Sequence, residues 1–263
     1  MSAIRGARER ARIEVTAAIK DEARRQLAAE GAAKLSLRAV ARELGMVSSA
    51  LYRYFPSRDE LLTALIVDAY DSVGEAAENA HRTGAPDSSA PAAHLARWVA
   101  VACAVRDWAL AHPHEYALIY GSPVPGYTAP QATVAPASRV GLVLIAVVQD
   151  ARREVGLALP PLSEELRPEA ERLAADLAPG LPPAVAPPIV AAWAQLFGLV
   201  SFEVFGQFDR VVEARGTFFR QAVEELGRMV GLLGTAARGA AGATGAAGAT
   251  GPAGTTAGRG AGH

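Results

Sequence analysis

Apolar side chains recur along this chain at steps of three and four, and strict alternation of apolar and polar residues is hard to find. That period belongs to helices packed by one face, so the expected fold class is all-α. The first stripe, Val15, Ile19, Ala23 and Leu27, predicts a helix from about Arg8 to Glu30, with Gly31 placed to end it at positive φ. Ser36 then caps a short helix through Leu44, Gly45 starts a tight turn, and a second short helix runs from about Val47 to Tyr54. After Pro56, the run Ser57-Arg58-Asp59-Glu60 reads as a capping box ahead of Leu61, Leu62 and Leu65, and opens a long helix.

Beyond this head the pattern predicts further helices with joints marked by Pro and Gly. His94, Trp98, Val101, Val105 and Trp108 form one face of a helix from about Pro91 to Ala111, and a short helix from Pro113 to Tyr120 follows. A Pro- and Gly-rich loop, Gly121 to Pro136, leads into a helix of about Pro136 to Val155. Its run Val140 to Val148 is apolar all round, which predicts a central place. Ser163 to Leu177 reads as a polar surface helix that Pro168 interrupts or restarts. Two strongly apolar helices, about Pro188 to Phe208 and Arg215 to Leu233, close the domain.

Charge changes the picture by dividing the chain. The total is nearly balanced, 26 Lys plus Arg against 27 Asp plus Glu, which excludes a wholly basic nucleic-acid coat. Residues 1–62, however, carry 12 basic and 8 acidic side chains, so a basic head sits on a mildly acidic body spanning residues 63–233. Residues 234–263 are Gly, Ala and Thr with almost no large apolar side chain, and are expected to be disordered. Glycine recurs at every third place from Gly239 to Gly254, but one proline, Pro252, is too few for a collagen triple helix.

Other chemistries find little support. A single cysteine, Cys103, rules out an internal disulfide and a Cys-ligated cluster, and fits a reducing cytoplasm. It lies in an apolar run and is expected to be an inert core residue. His112 and His114 flank Pro113, a spacing that does not put two imidazoles on one helix face, so no metal is expected there. The uncharged window before Glu203 carries Pro179, Pro182, Pro183, Pro187 and Pro188. With its helix starting only near Pro188, it is expected to fall short of the roughly 20 residues that cross a bilayer, so no membrane partner is expected. No catalytic triad, phosphate-binding glycine loop or cofactor signature stands out, and neither an enzyme nor a cofactor is expected.

Two short helices joined by a glycine turn match the helix-turn-helix geometry, whose second helix enters the DNA major groove. Here that helix begins with the small Ser48, Ser49 and Ala50 and ends with Tyr52, Arg53 and Tyr54, while Leu51 and Phe55 point back into the head. A small bundle with unremarkable surface Tyr and Arg has the same periodicity. The stretches Leu35-Ser-Leu-Arg-Ala-Val-Ala-Arg-Glu-Leu-Gly45 and Leu51-Tyr-Arg-Tyr-Phe-Pro-Ser-Arg-Asp-Glu-Leu-Leu62 decide between them, because together they resemble the DNA-binding head of TetR-type transcriptional regulators. The region from Trp108 to Tyr127 is similar to the C-terminal domain of the WHG subgroup of that family.

The resemblance implies a double-stranded DNA partner. It implies that Ser36 caps its helix and touches a phosphate and that Arg38 reaches a base edge. Ser48, Ser49, Ala50 and Tyr52 would face the groove, with Arg53 at the exposed end of the same helix. Tyr54 and Arg58 would hold phosphates. Two positions depart from the family pattern: Val47 replaces the usual Ser cap, so that Ser48 is expected to cap instead, and Arg58 replaces a Lys. A homodimer on a near-palindromic site is also implied. Trp193, Phe197 and Val200, with Phe218, Ala222, Leu226 and Met229, would supply its apolar four-helix interface, the alternative being that both stripes are internal core. A small apolar or aromatic effector would bind among Trp108, Tyr116, Tyr120, Tyr127 and Phe197, each of which could also be an ordinary core aromatic. The alternative left open is a helical small-molecule or partner-binding protein that no longer binds DNA.

Overall fold

The computed structural model describes residues 2–84 and 91–233. The expected disorder of residues 234–263 lies outside them. Among the described residues there are ten α-helices and no strand: α1 (Ser2–Glu30), α2 (Leu37–Glu43), α3 (Ser48–Leu51), α4 (Arg58–Thr83), α5 (Pro91–Ala111), α6 (Pro113–Tyr120), α7 (Val134–Glu154), α8 (Arg167–Leu177), α9 (Ala186–Val204) and α10 (Arg215–Val230).

These helices build two cores. Ile19, Ala23 and Leu27 of α1, Leu37, Val40 and Ala41 of α2, Leu51 of α3, Phe55, and Leu61, Leu62 and Leu65 of α4 bury one another in the head. The body core gathers around α5, whose predicted face of His94, Trp98, Val101, Val105 and Trp108 is buried throughout. Trp98 fixes α10 against it by donating its indole N–H to the Val223 carbonyl at 2.9 Å. Burying that polar edge leaves no donor unpaired.

α4 belongs to both cores, with Leu61, Leu62 and Leu65 in the head and Ala69, Val73 and Ala77 in the body. Its start is set by Ser57, whose hydroxyl accepts from the Glu60 amide at 3.1 Å, the half of the predicted capping box that carries the helix. Further along, Arg139 of α7 lies across α4. It donates both ways into the Glu78 carboxylate at 2.8 and 2.9 Å, and to the Asp71 side chain at 2.8 Å and its carbonyl at 3.0 Å. Gly74 makes that crossing possible, since a Cβ there would stand 2.8 Å from the Cβ of Arg139.

Three expectations about the body change. The run Val140 to Val148 is not surrounded: Val140, Val143, Leu144, Val147 and Val148 are buried, but Leu142 faces outward. The main packing partners of α7 are α4 and α5. Pro168 neither breaks nor restarts a helix begun at Ser163; it stands in the first turn of α8, where its missing N–H costs nothing. The last apolar segment also starts earlier than Pro188. A 3₁₀ turn at Pro183–Val185 runs into α9, and Pro183–Val204 is 22 residues long and apolar enough to span a bilayer by length alone. Ile189, Ala192, Leu196, Phe197 and Val200 instead pack into the body core, and near the end of α9 Glu203 forms an ion pair with Arg106 of α5 at 2.6 Å.

Candidate nucleic-acid interface

The predicted DNA-facing residues lie on α2 and its N-cap, on α3 and the turn after it, and, for Arg58, at the start of α4. Ser36 takes the N-cap of α2 and its hydroxyl accepts from the Ala39 amide at 3.4 Å. Gly45, at φ 65°, turns the chain, and the Met46 amide closes back onto the Ala41 carbonyl at 2.8 Å. α3 then begins at Ser48, with Val47 in the capping position and no side-chain cap bond. Ser48 therefore does not become the cap, and its hydroxyl is left free for other contacts. An uncapped start of this kind costs about 1 kcal/mol relative to Ser. Helical geometry continues only to Leu51; residues 52–54 form turns rather than the longer helix predicted to Tyr54.

Around α3 the chain sorts by chemistry. Leu51 and Phe55 are buried in the head core, while Ser48, Ser49, Tyr52 and Arg53 are exposed and Ala50 is half-buried between them. Arg38 on α2 is exposed on the same head. Tyr54 is half-buried, with the Arg12 guanidinium 6.0 Å above its ring.

Arg58 is placed differently from the phosphate role the sequence suggests. Its guanidinium turns inward and donates to the carbonyls of Leu35 at 3.2 Å, Ala32 at 2.8 Å and Ala33 at 3.2 Å. These are carbonyls of the turn that follows α1, which Gly31 at φ 81° opens. A planar fork with five donors can hold several carbonyls at once, which a lysine ammonium on a flexible stem does less well. The Lys-to-Arg departure noted in the sequence thus has a structural reason.

The expected effector aromatics divide. Trp108 donates its indole N–H to the Ser72 hydroxyl at 2.8 Å and stacks on His112 at 5.2 Å. Tyr116 is fully buried, its hydroxyl 2.8 Å from the Ser201 hydroxyl and 3.2 Å from the Phe197 carbonyl, and burial pushes its phenol up to about 12. Phe197 is buried too, stacked against Tyr120 at 4.1 Å. These three are packed core. Tyr120 and Tyr127 do line cavities, but two different ones. A cavity of about 870 Å³ lies between the turn after α1 (Gly31, Ala32, Ala33), α6 (His114, Ala117, Tyr120) and the end of α9 (Ser201, Phe205). A second, of about 580 Å³, lies between α4 (Ile66, Tyr70), Tyr127 and the start of α7. The loop from Gly121 to Val124 walls both. Of the pocket expected around Trp98 to Trp108, Pro113 to Tyr120, Val140 to Val148 and Trp193 to Phe205, the part next to α5 is filled core, whereas Pro113 to Tyr120 and the end of α9 wall the first cavity and a smaller one of about 310 Å³ lies between α7 (Gly141, Leu142, Ile145), the end of α8 and α9 (Ile189, Val190, Trp193). The first two cavities lie at the junction of head and body, which spacing along the chain does not reveal.

The expected interface residues also divide. Trp193, Phe218 and Met229 are large and exposed, at 41, 42 and 39% of their surface, and Ala222 is half-buried. Val200 is fully buried, and with Phe197, which stacks on Tyr120 of α6, it belongs to the body core rather than to an outer face. Leu226 is largely buried but still lines a groove between α9 and α10 together with Leu199, Phe202, Phe208, Phe218 and Ala222. Leu199 and Phe202 were not expected; the uncharged stripe Gln195, Gly198, Leu199, Phe202 is the sequence signal that marks them. Cys103 is half-buried, and its thiol is pushed up by burial. Among the described residues no three His, Cys, Asp or Glu side chains converge as a metal site would require.

A helical head whose third helix is exposed and begins with small residues, mounted on an all-α body, defines a helix-turn-helix DNA-binding regulator. Comparison with known proteins gives the family. The profile of bacterial regulatory proteins of the tetR family matches residues 19–65, and that of the tetracyclin repressor-like C-terminal domain matches residues 98–226. HTH-type transcriptional regulators of Mycobacterium tuberculosis (strain ATCC 25618 / H37Rv) and Mycobacterium bovis (strain ATCC BAA-935 / AF2122/97) are each 42% identical over 212 residues, covering 77% of this chain and 86% of theirs. The chain therefore belongs to the TetR family of transcriptional regulators. Among solved structures, a regulatory protein 34% identical superposes with a TM-score of 0.69 over 83% of this chain and 97% of its own. A TetR family transcriptional regulator from Thermus thermophilus, 16% identical with a TM-score of 0.51 over 80% of this chain and 97% of its own, shares the fold.

Proposed function

We propose that the chain is a homodimeric cytoplasmic repressor that sets two heads in successive major grooves of a near-palindromic operator and is released by a small apolar or aromatic molecule. Base edges are read by Ser48, Ser49, Ala50, Tyr52 and Arg38, with Arg53 at the exposed end of the same surface. Ser36 and Tyr54 hold phosphates and fix register, and Arg58 supports them by bracing the turn behind the head. The dimer forms through the exposed apolar surface of α9 and α10, where the groove of about 520 Å³ receives side chains of the second copy.

One observation carries the regulatory part. The 870 Å³ cavity is walled on one side by Gly31, Ala32 and Ala33, and Arg58 at the start of α4 is bonded to the carbonyls of the last two. A ligand that fills the cavity presses on a turn tied directly to the helix joining head and body, so it binds one head position better than another. Tyr120, Phe205, Pro123 and Pro125 are among the residues lining the cavity, and none of the lining residues is Asp, Glu, Lys or Arg, which fits a neutral, largely apolar compound.

Selection of sites from random duplex DNA, read at two salt concentrations, tests this reading. An enriched palindrome that is lost at high salt is expected, and a variant combining Arg38→Ala with Tyr52→Ala should keep its fold and lose selection. A folded dimer that enriches no sequence, or a variant that binds as well as its parent, refutes it.

A further inference from the structure

The stripe on α1 that enters the head core does not stop where the core stops. Leu27, Ala23 and Ile19 are buried, Val15 is half-buried, and one and two turns further toward the N-terminus the same face carries Arg12 and Arg8. Residues 6–14 are exposed throughout, so this part of α1 overshoots the head and buries nothing. A solvated helix end of this length is marginal by itself and is carried by the packed half behind it.

The cations of α1 are sorted along its length. Lys20 and Arg24 pair with Asp68 at 2.8 and 2.7 Å, Arg24 also reaches Glu115 at 3.2 Å, and Arg25 is held by Glu22 at 2.5 Å. Among the described residues Arg8 and Arg12 have no acidic partner. Arg12 instead stands over the ring of Tyr54, at the end of the turn that follows α3. The face that points inward through the head therefore emerges beyond it as two unpaired arginines, beside the residues that meet DNA.

We infer that Arg8 and Arg12 form a phosphate-binding arm that grips the duplex backbone outside the base-read half-site. The inference rests on the operator-binding reading above and extends it to a second contact element. Charge complementarity to a polyanion and continuity with the Tyr54 surface select DNA as the occupant. Arg10 lies on the opposite side of the helix and takes no part.

The test compares Arg8→Gln/Arg12→Gln with the control Arg10→Gln, using the full chain and the selected operator. Each phosphate contact contributes about 0.9 to the slope of log affinity against log salt. Loss of two arginines from each protomer should therefore flatten the slope of the dimer by roughly 3 to 4, with the preferred sequence unchanged. Hydroxyl-radical footprints should lose protection flanking each half-site, and Arg10→Gln should leave both measurements as they are. An unchanged slope and footprint in the double variant, or an equal effect in the control, overturns the arm while leaving operator reading intact. A parent protein that selects no sequence overturns both.

Discussion

Removing either partner of the Arg106–Glu203 pair measures how the body holds α5 against α9. The guanidinium gives two bonds of 2.6 Å to the carboxylate, and the side chains keep only 16 and 6% of their exposure. At about 4 Å between charge centres and an effective dielectric near 20, the attraction is about 4 kcal/mol. Its loss leaves a desolvated charge without compensation, a change that costs about 3–5 kcal/mol in buried pairs. Arg106→Met and Glu203→Leu should each destabilise by roughly 3–4 kcal/mol, whereas the double substitution, which removes both charges and keeps the volume, should cost about 1 kcal/mol or less. Urea unfolding at one fixed protein concentration reads this cycle, the fixed concentration being needed because the proposed dimerisation would shift the midpoint. Single substitutions that each cost under about 1 kcal/mol would refute the reasoning and show that water reaches the pair.

Three further outcomes are expected. Arg58→Lys should keep the charge but lose the fork that holds three carbonyls, lowering stability by about 1–2 kcal/mol and speeding amide exchange through residues 31–37; unchanged exchange there would count against the brace. Phe218→Glu, placed in the groove between α9 and α10, should yield a monomer by analytical ultracentrifugation with operator affinity reduced at least tenfold, and a stable dimer would move the interface elsewhere. Tyr116, with its phenol pushed up to about 12, stays neutral in the folded chain while the unfolded chain ionises near 10. Its contribution is complete below about pH 10 and is lost as pH rises toward 12, about 3 kcal/mol in all, so Tyr116→Phe should flatten the alkaline fall in stability; an identical pH profile would contradict this.

Much of the fold was legible because helix punctuation is local. Gly31 and Gly45 do take positive φ, Ser36 and Ser57 do cap, and the stripe from His94 to Trp108 does face inward. Three-dimensional placement was less so. Arg58 reads as a free cation until the carbonyls of the turn after α1 are brought beneath it. Val200 and Phe218 both look like interface residues, and only the packing of α9 on α5 shows that one is core and the other surface. The aromatics meant to line one pocket are divided between a filled core and two cavities, since emptiness between helices depends on the crossing of elements distant in sequence.

The Arg139 crossing sets a fulcrum. α4 is one unbroken helix gripped by Arg139 at Asp71 and Glu78 and packed into the body as far as Ala69, so the arm from Ala69 to Arg58 that carries the head is about 17 Å long at 1.5 Å per residue. In the proposed dimer a tilt of about 5° about that point would carry each head roughly 1.5 Å and separate the two by roughly 3 Å, close to one base-pair step of about 3.4 Å. Grooves one helical turn apart tolerate little such error. A displacement near the size of a bond length at the turn gripped by Arg58 would thereby be large enough, in such a pair, to put the second head out of phase with its half-site.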